Sequence, residues 1–295
     1  FNVAIGNNAL DALTSADKTT AVGYGSGTGL TTGSLNTFMG FEAAKAITSG
    51  ARNVIIGNAA ADAATTPDRS VIIGDGACGI GVLTGNDNIV MGGDAGANMT
   101  SAAGNICFGF ESGNDLTEGG FNTFIGYQAG AAMTTAGDQV AIGFQALETS
   151  DTESNNTAIG KNVLRLANGG GEFNVGIGNA TLDALTSGDN NTAIGYNSAS
   201  GLTTGSANTF LGENAGSNGV VTGNDNVVVG KSSGANMTSA NSNVFVGKDA
   251  GGENTTGQKH VFIGYQAGKA TTTNTDGFVA IGHSAGLATT SGGSI

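Results

Sequence analysis

One short repeat runs through the whole sequence and constrains its fold more than any other feature. A β-branched stretch ending in glycine recurs as NVAIG at 2–6, NTFIG at 122–126 and NTAIG at 191–195. The last residue of each stretch, here called the anchoring glycine, returns at every seventeenth or eighteenth position from Gly6 to Gly282 and defines 17 units. Sequences with such a period stack similar units, so that each unit contacts mainly its neighbours.

Each unit reads approximately N-[VT]-x-[IV]-G-x-x-[AS]-x-x-x-[LM]-T-[ST]-x-x-x, which predicts a strand, a turn and a threonine-rich return. Alanine or serine stands three positions after the anchoring glycine in 15 of 17 units, the exceptions being Val163 and Thr181. Stacked corners therefore have room only for small side chains. No segment has helical periodicity, and the 53 glycines oppose helix formation. We predict an all-β fold, a parallel β-roll or β-solenoid of 17 coils with a 17–18 residue period.

A longer repeat lies over the short one. The opening FNVAIGNNALDALTS returns as FNVGIGNATLDALTS at 173–187, and GVLTGNDN at 81–88 returns as GVVTGNDN at 219–226. The first pair lies farther apart in the chain than the second, and the difference equals two coils. We therefore interpret 1–295 as a single repeat array, with 1–172 the first tandem copy of ten coils and 173–295 a second copy of seven.

The charge balance excludes several classes of partner. With 23 acidic and ten basic residues, the net charge is −13 and the isoelectric point about 4.2. Nucleic-acid binding and attraction to anionic membranes both require clustered Lys and Arg, so we predict no nucleic-acid partner and no membrane contact by this segment. The two cysteines, Cys78 and Cys107, are expected to be inert buried thiols. Because Phe1 lies within a repeat unit, we expect the chain to be a segment of a longer protein.

Both faces of the short strand are apolar. The residue before each anchoring glycine is apolar and the residue three before it is Val, Ile or Thr, and these two share one face. The position between them holds no polar or charged residue in any of the 17 units. Either one chain buries both faces, or the strip at the middle position meets identical strips of other chains. We favour the second because so short a coil leaves little chain to cover two faces. The predicted interface comprises Phe38, Ile55, Ile72, Val90, Cys107, Phe124, Phe210, Val228, Phe245 and Phe262.

Several units resemble the repeats of a known family. NVAIG, NTAIG, QVAIG and FVAIG, each followed by a small residue, resemble the head repeats of trimeric autotransporter adhesins of the Hep/Hag type. NTAIGY at 191–196 and NTFIGYQAG at 122–130 are similar to arrays in trimeric phage tail fibres. The resemblance covers all units and implies a left-handed parallel β-roll assembled as a homotrimer. Adhesin heads have a shorter period, so this chain is expected to have a larger loop or outer strand.

These observations favour a fibre rather than an enzyme. We expect an elongated segment exposed outside a cell or on a virion, which gives reach and rigidity and attaches to a surface glycan or a protein receptor. The alternative is a phage tail fibre or tailspike shaft with polysaccharide-degrading activity, which would need paired carboxylates where the repeat is interrupted. The acidic residues instead lie scattered in turn-like positions. An ice-binding solenoid would need a regular Thr-x-Thr array, which is missing.

One stretch matches the nucleophile elbow of serine hydrolases. GHSAG at 282–286 has the Gly-x-Ser-x-Gly pattern around Ser284, but both of its glycines fall on repeat positions. In the α/β-hydrolase order the histidine follows the serine, whereas His260 and His283 both precede it. We therefore predict no catalytic residue.

The remaining patterns predict neither cofactor nor metal. GDGACG at 74–79 matches a dinucleotide fingerprint, but no helix can follow it. Asp87 and Asp225 are interpreted as solvated turn residues, and His260 as a substitute for the asparagine that opens 12 of the 17 units. Those asparagines either form a ladder of side-chain amides from coil to coil or cap turns, and both interpretations stay open.

Overall fold

The computed structural model describes residues 1–166, 170–271 and 276–287. Within these residues the chain is an all-β parallel solenoid of seventeen three-residue strands and no helix. Contacts divide it into two compact units, Phe1–Ser154 and Asn155–Ile295. The strands of the first unit are β1 Val3–Ile5, β2 Thr20–Val22, β3 Thr37–Met39, β4 Val54–Ile56, β5 Val71–Ile73, β6 Ile89–Met91, β7 Ile106–Phe108, β8 Thr123–Ile125 and β9 Val140–Ile142. Those of the second are β10 Thr157–Ile159, β11 Val175–Ile177, β12 Thr192–Ile194, β13 Thr209–Leu211, β14 Val227–Val229, β15 Val244–Val246, β16 Val261–Ile263 and β17 Val279–Ile281.

Within each unit every strand pairs in parallel with the strand one coil later. The register is exact to the repeat, as in the pairing of Val54, Ile55 and Ile56 with the three residues of β5. The turns are bonded in the same direction, since the N–H of Ala44 donates to the carbonyl of Ala60 at 2.9 Å. Each coil is therefore bonded to the next around much of its circumference, and the predicted solenoid with its 17–18 residue period is confirmed.

The anchoring glycines are required by the close approach of successive coils. Gly57 has φ of 144°, and a Cβ there would lie 2.2 Å from the carbonyl oxygen of Gly74. After each anchor the chain turns through left-handed residues, for example Glu42 (φ 52°) and Ala44 (φ 56°). Non-glycine residues adopt this conformation at a cost of about 1–2 kcal/mol each. The hydrogen bonds between successive coils therefore offset the conformational strain of many such residues.

The core of each unit is thin and contains one inward residue from each strand, the small corner residues and an aliphatic side chain from the return. In the first unit Phe38, Ala43 and Ile47 are fully buried and represent these three positions. The predicted small-residue corner is confirmed, and the larger exceptions Val163 and Thr181 are also fully buried in the second unit.

The opening asparagines form a ladder from coil to coil, one of the two interpretations that the sequence left open. Oδ1 of Asn36 accepts hydrogen bonds from the backbone N–H of Asn53 at 2.9 Å and from its Nδ2 at 3.2 Å. Nδ2 of Asn53 also donates to the carbonyl of Pro67 at 2.7 Å, and its Oδ1 accepts from the N–H of Ser70 at 2.9 Å. Both asparagines are buried, so the ladder satisfies backbone groups inside the solenoid.

A second ladder, not predicted from the sequence, runs along the threonines of the return. Oγ1 of Thr100 donates to the carbonyl of Thr117 at 2.9 Å, and Oγ1 of Thr117 donates to that of Thr134 at 3.0 Å. These hydroxyls add side-chain bonds between successive coils outside the strands.

The boundary between the compact units follows Ser154, whereas the predicted boundary between the tandem copies falls one coil later, at 172/173. The boundary after Ser154 is drawn from contacts, whereas the boundary at 172/173 is drawn from sequence similarity. Contacts do not test sequence similarity, so the tandem duplication stays a prediction. Over the described ranges, no helix has the length and hydropathy of a membrane span.

Candidate functional site

The strands direct their middle residue inward and their two flanking residues outward. The ten residues predicted as an interface between chains all occupy the middle position, and the structure buries each of them completely within one chain. The interface assignment is therefore wrong, because a side chain with no exposed surface cannot contact a second copy. These core residues are Phe38, Ile55, Ile72, Val90, Cys107, Phe124, Phe210, Val228, Phe245 and Phe262.

The outward residues form two columns on each unit, apolar except for the threonines of the first column and with no charged side chain in either. On the first unit we call these columns the apolar face, and they are only partly buried or exposed throughout. The first column is Val3, Thr20, Thr37, Val54, Val71, Ile89, Ile106, Thr123 and Val140, and the second is Ile5, Val22, Met39, Ile56, Ile73, Met91, Phe108, Ile125 and Ile142. The second unit has the same two columns on β10 to β17.

Exposed aromatic rings extend this apolar surface beyond the anchoring glycines. In the first unit the ring of Tyr127 stacks between those of Phe110 and Phe144, with centroids 5.5 and 5.2 Å apart. Tyr24 stacks on Phe41 in the same way at 5.3 Å. All five occupy the position after an anchoring glycine, so the repeat places one side chain above the next at the strand spacing. We call this row the aromatic stack.

A shallow depression interrupts the apolar face of the first unit. It has a volume of about 400 Å³ and is lined by Ile73, Met91 and Phe108 with the backbone of Gly92 and Gly109. Its lining is almost wholly apolar, and the side chain of Phe108 is 50% exposed beside it.

A second surface depression, of about 360 Å³, is acidic. Its walls include Glu111, Asp115 and Glu148. Nε2 of Gln128 donates to Glu111 at 2.6 Å, and Nε2 of Gln145 donates to Glu148 at 2.7 Å. The carboxylates are thus held by amides in regular repeat positions, and no group of three or more His, Cys, Asp or Glu suited to a metal ion occurs among the described residues.

Ser284 occupies an ordinary corner of the repeat. Its φ of 53° is left-handed, as is that of Ser232 (φ 56°) at the equivalent position, and its N–H donates to the carbonyl of Tyr265. The imidazole of His283 stacks on the ring of Tyr265 at 5.1 Å. The Gly-x-Ser-x-Gly pattern therefore arises from the repeat, and turns follow its strand where a hydrolase would have a helix.

The other sequence patterns are also structural. Residues 74–79 follow β5 and form the next turn, without a helix N-terminus for a phosphate. Asp87 accepts two hydrogen bonds from Arg69, at 2.6 and 2.8 Å, and this pairing lowers the pKa of the carboxyl. Burial raises the pKa of the Cys107 thiol to about 12 and that of Cys78 further, so both are unreactive as predicted.

The sequence and fold together define a class, the all-β parallel solenoids built from short in-register coils. No protein-family model matches the chain, and a comparison with curated proteins finds no similar protein.

Proposed function

We propose that this chain is a non-enzymatic, elongated segment of an extracellular fibre or adhesin, whose role is to extend and to hold. The observation that supports this most directly is the uniformity of the coils. Strand, corner, asparagine and threonine bonds recur from coil to coil, and no described coil departs from the repeat to build an enclosed cleft.

Uniform bonding supports a rod that resists bending and proteolysis. The nine coils of the first unit, stacked at about 4.8 Å each, form a stack about 40 Å long whose cross-section is that of a single short coil. Because each strand inside the stack is already paired on both sides, a protease finds few segments that open locally.

Attachment would come from the turns that follow each anchoring glycine. These turns vary more in sequence from coil to coil than the strands do, and they carry exposed side chains. Repetition along the fibre would multiply weak contacts to a glycan or a protein receptor, and assembly into a homotrimer, which the adhesin and tail-fibre resemblance implies, would multiply them further.

A combined assay of mechanics and turnover tests this proposal. We expect the purified chain to survive protease concentrations that digest ordinary domains, and to unfold coil by coil under force in single-molecule pulling. We also expect no release of reducing sugars from surface polysaccharides. Steady sugar release that disappears in Glu111→Gln and Glu148→Gln variants would replace the fibre function with the depolymerase alternative.

A further inference from the structure

We infer that Asn218–Gly219 is a site of spontaneous covalent modification, where the side-chain amide is lost as ammonia and aspartate or isoaspartate takes its place. The site lies in the second unit, in the coil between the anchoring glycines Gly212 and Gly230. The sequence contains two Asn-Gly pairs, and the other, Asn168–Gly169, falls outside the described residues. The inference concerns the chemistry of one turn and does not depend on the proposed function.

The reaction needs only the chain and water. The backbone nitrogen of Gly219 attacks Cγ of Asn218, so that a Cγ–N bond forms and the Cγ–Nδ2 bond breaks. Nδ2 leaves as ammonia, together with the proton that the backbone nitrogen gives up. Water then opens the resulting succinimide ring at either carbonyl carbon, which gives aspartate or isoaspartate without any oxidation or reduction. Glycine favours ring closure because it has no side chain to obstruct the attack and few restrictions on its backbone.

The backbone nitrogen of Gly219 is free, unlike the nitrogens at equivalent positions. Its N–H donates to no acceptor in the part of the chain that the structure describes. Asn98 and Asn236 occupy the same repeat position as Asn218, yet the N–H that follows each donates to a turn carbonyl, at 3.0 and 3.1 Å. A nitrogen held in this way must first lose its hydrogen bond before it turns toward the side chain, whereas that of Gly219 reacts without prior opening of the turn.

The length of the coil explains the free N–H. This coil has 18 residues, and its buried aliphatic residue is Val221, two positions later than in the coils of 17. Gly219 therefore does not close the turn as the buried methionine of a shorter coil does. The matching 18-residue coil of the first unit lacks the site, because Ile80 stands in place of Asn218 and the N–H of Gly81 donates to a carbonyl of the next coil at 2.8 Å.

The side chain of Asn218 is exposed to water and its carbonyl is polarised. Oγ of Ser217 donates to Oδ1 of Asn218 at 3.1 Å, and shares its proton with the carbonyl of Asn214, also at 3.1 Å. A hydrogen bond to Oδ1 makes Cγ more electrophilic and stabilises the negative charge that develops on the oxygen during attack.

Modification would loosen this coil between its neighbours. The N–H of Asn218 donates to the carbonyl of Ala235 in the following coil at 2.8 Å. The N–H of Val221 donates to the carbonyl of Gly201 in the preceding coil, also at 2.8 Å. An isoaspartyl link inserts an extra carbon into the main chain between these fixed points. Either product also replaces the Nδ2 group that donates to Oδ1 of Asn236 at 3.3 Å with a carboxylate that repels this oxygen. An aged chain should therefore open to a protease first at this coil.

Incubation of the folded full chain at mildly alkaline pH, with the same chain in urea as the unfolded reference, tests the inference. The matched control Asp75→Asn creates another exposed Asn-Gly pair, whose Gly76 N–H donates to the carbonyl of Asn58 at 3.0 Å. Peptide mapping by mass spectrometry measures succinimide, aspartate and isoaspartate at each pair. In urea both pairs should react at similar rates. In the folded protein Asn218 should react within about threefold of its unfolded rate, and the control pair at least about tenfold more slowly than in urea.

Equal slowing of the two pairs by folding, or no reaction at Asn218, would overturn the inference. The variant Asn218→Gln supplies a chain that does not age at this turn, because glutamine must close a larger ring. After incubation, limited proteolysis should cut the unsubstituted chain within 212–230 and leave the variant intact there. Equal cleavage of both chains would disprove the loosening of the coil.

Discussion

Nδ1 of His260 accepts a hydrogen bond from the backbone N–H of Phe278 at 3.1 Å, and thereby takes the place of an asparagine Oδ1 in the ladder. The backbone N–H of His260 donates to Oδ1 of Asn243 at 2.9 Å, as the N–H of a ladder asparagine does. The prediction that His260 substitutes for asparagine is confirmed. Because Nδ1 must stay unprotonated to accept, the ladder fixes the neutral imidazole with its proton on Nε2.

This arrangement predicts a pH dependence of stability. Burial lowers the pKa of His260, against the opposing charge of Asp276. Since the folded state resists protonation, the unfolded state takes up the proton first as pH falls below about 6.5, the ordinary histidine value. Stability contributed by neutral His260 is therefore complete above that pH and is lost progressively below it. We expect the unfolding free energy to fall between about pH 7 and about pH 5, measured by urea titration.

The variant His260→Asn is the control for this effect. It restores the common ladder residue without a titrating group, so its stability should be flat over the same pH interval. A fall of the same size in the variant would assign the pH dependence to the carboxylates and not to His260.

Removing one asparagine from the ladder should destabilise the first unit. Oδ1 of Asn105 accepts from both the N–H and the Nδ2 of Asn122, each at 3.0 Å, and both residues are buried. Asn105→Ala leaves these donors without that partner, and we expect a loss of about 3 kcal/mol in unfolding free energy.

Asn105→Ser should cost less than the alanine variant. Oγ of Ser70 already serves one coil of the ladder, accepting from the N–H of Asn88 at 3.3 Å. Equal losses for serine and alanine would mean that the volume of the amide, not its hydrogen bonds, stabilises the position.

The anchoring glycines should tolerate no side chain. In Gly57→Ala the new methyl group would lie 2.2 Å from the carbonyl oxygen of Gly74, at a φ that alanine rarely adopts. We expect at least about 3 kcal/mol of destabilisation from strain alone, measured as a lower urea midpoint. The matched control is Gly93→Ala, where the nearest atom to the new Cβ is a ring carbon of Phe110 at 3.4 Å, and the midpoint should hardly change.

Strain at the left-handed corners can be reduced. Leu35 has φ of 65° and is 49% exposed, so its side chain contributes little burial. Asparagine adopts this conformation more readily, and Leu35→Asn should raise the unfolding free energy by about 1 kcal/mol. The reciprocal change Asn190→Leu, at an exposed corner with φ of 58°, should lower it by a similar amount. Changes of the same sign in both would refute the conformational explanation.

The 17–18 residue period predicted the coils, strands and small corner residues correctly, because each of these features belongs to a single unit and recurs with it. Which face of the strands points into the core was predicted wrongly. Both faces are mainly apolar, so the alternation of apolar and polar residues that normally identifies the buried face is missing. A subtler contrast was present: threonine occupies the first outward column at six strands, as at Thr20 and Thr123, whereas no hydroxyl occurs at the middle position. A buried site excludes an unpaired hydroxyl more strictly than a half-exposed one, so this difference identifies the core.

The exposed tyrosines give the chain an intrinsic fluorescent probe of its own surface. There is no tryptophan, and all four tyrosines, Tyr24, Tyr127, Tyr196 and Tyr265, follow anchoring glycines and are between 41% and 56% exposed. Intrinsic fluorescence excited above the phenylalanine band therefore originates entirely from exposed positions beside the strands, Tyr24 and Tyr127 in the first unit and Tyr196 and Tyr265 in the second. Quenching, anisotropy and near-ultraviolet dichroism of the unlabelled protein will follow whatever approaches these positions, with no dye to disturb them.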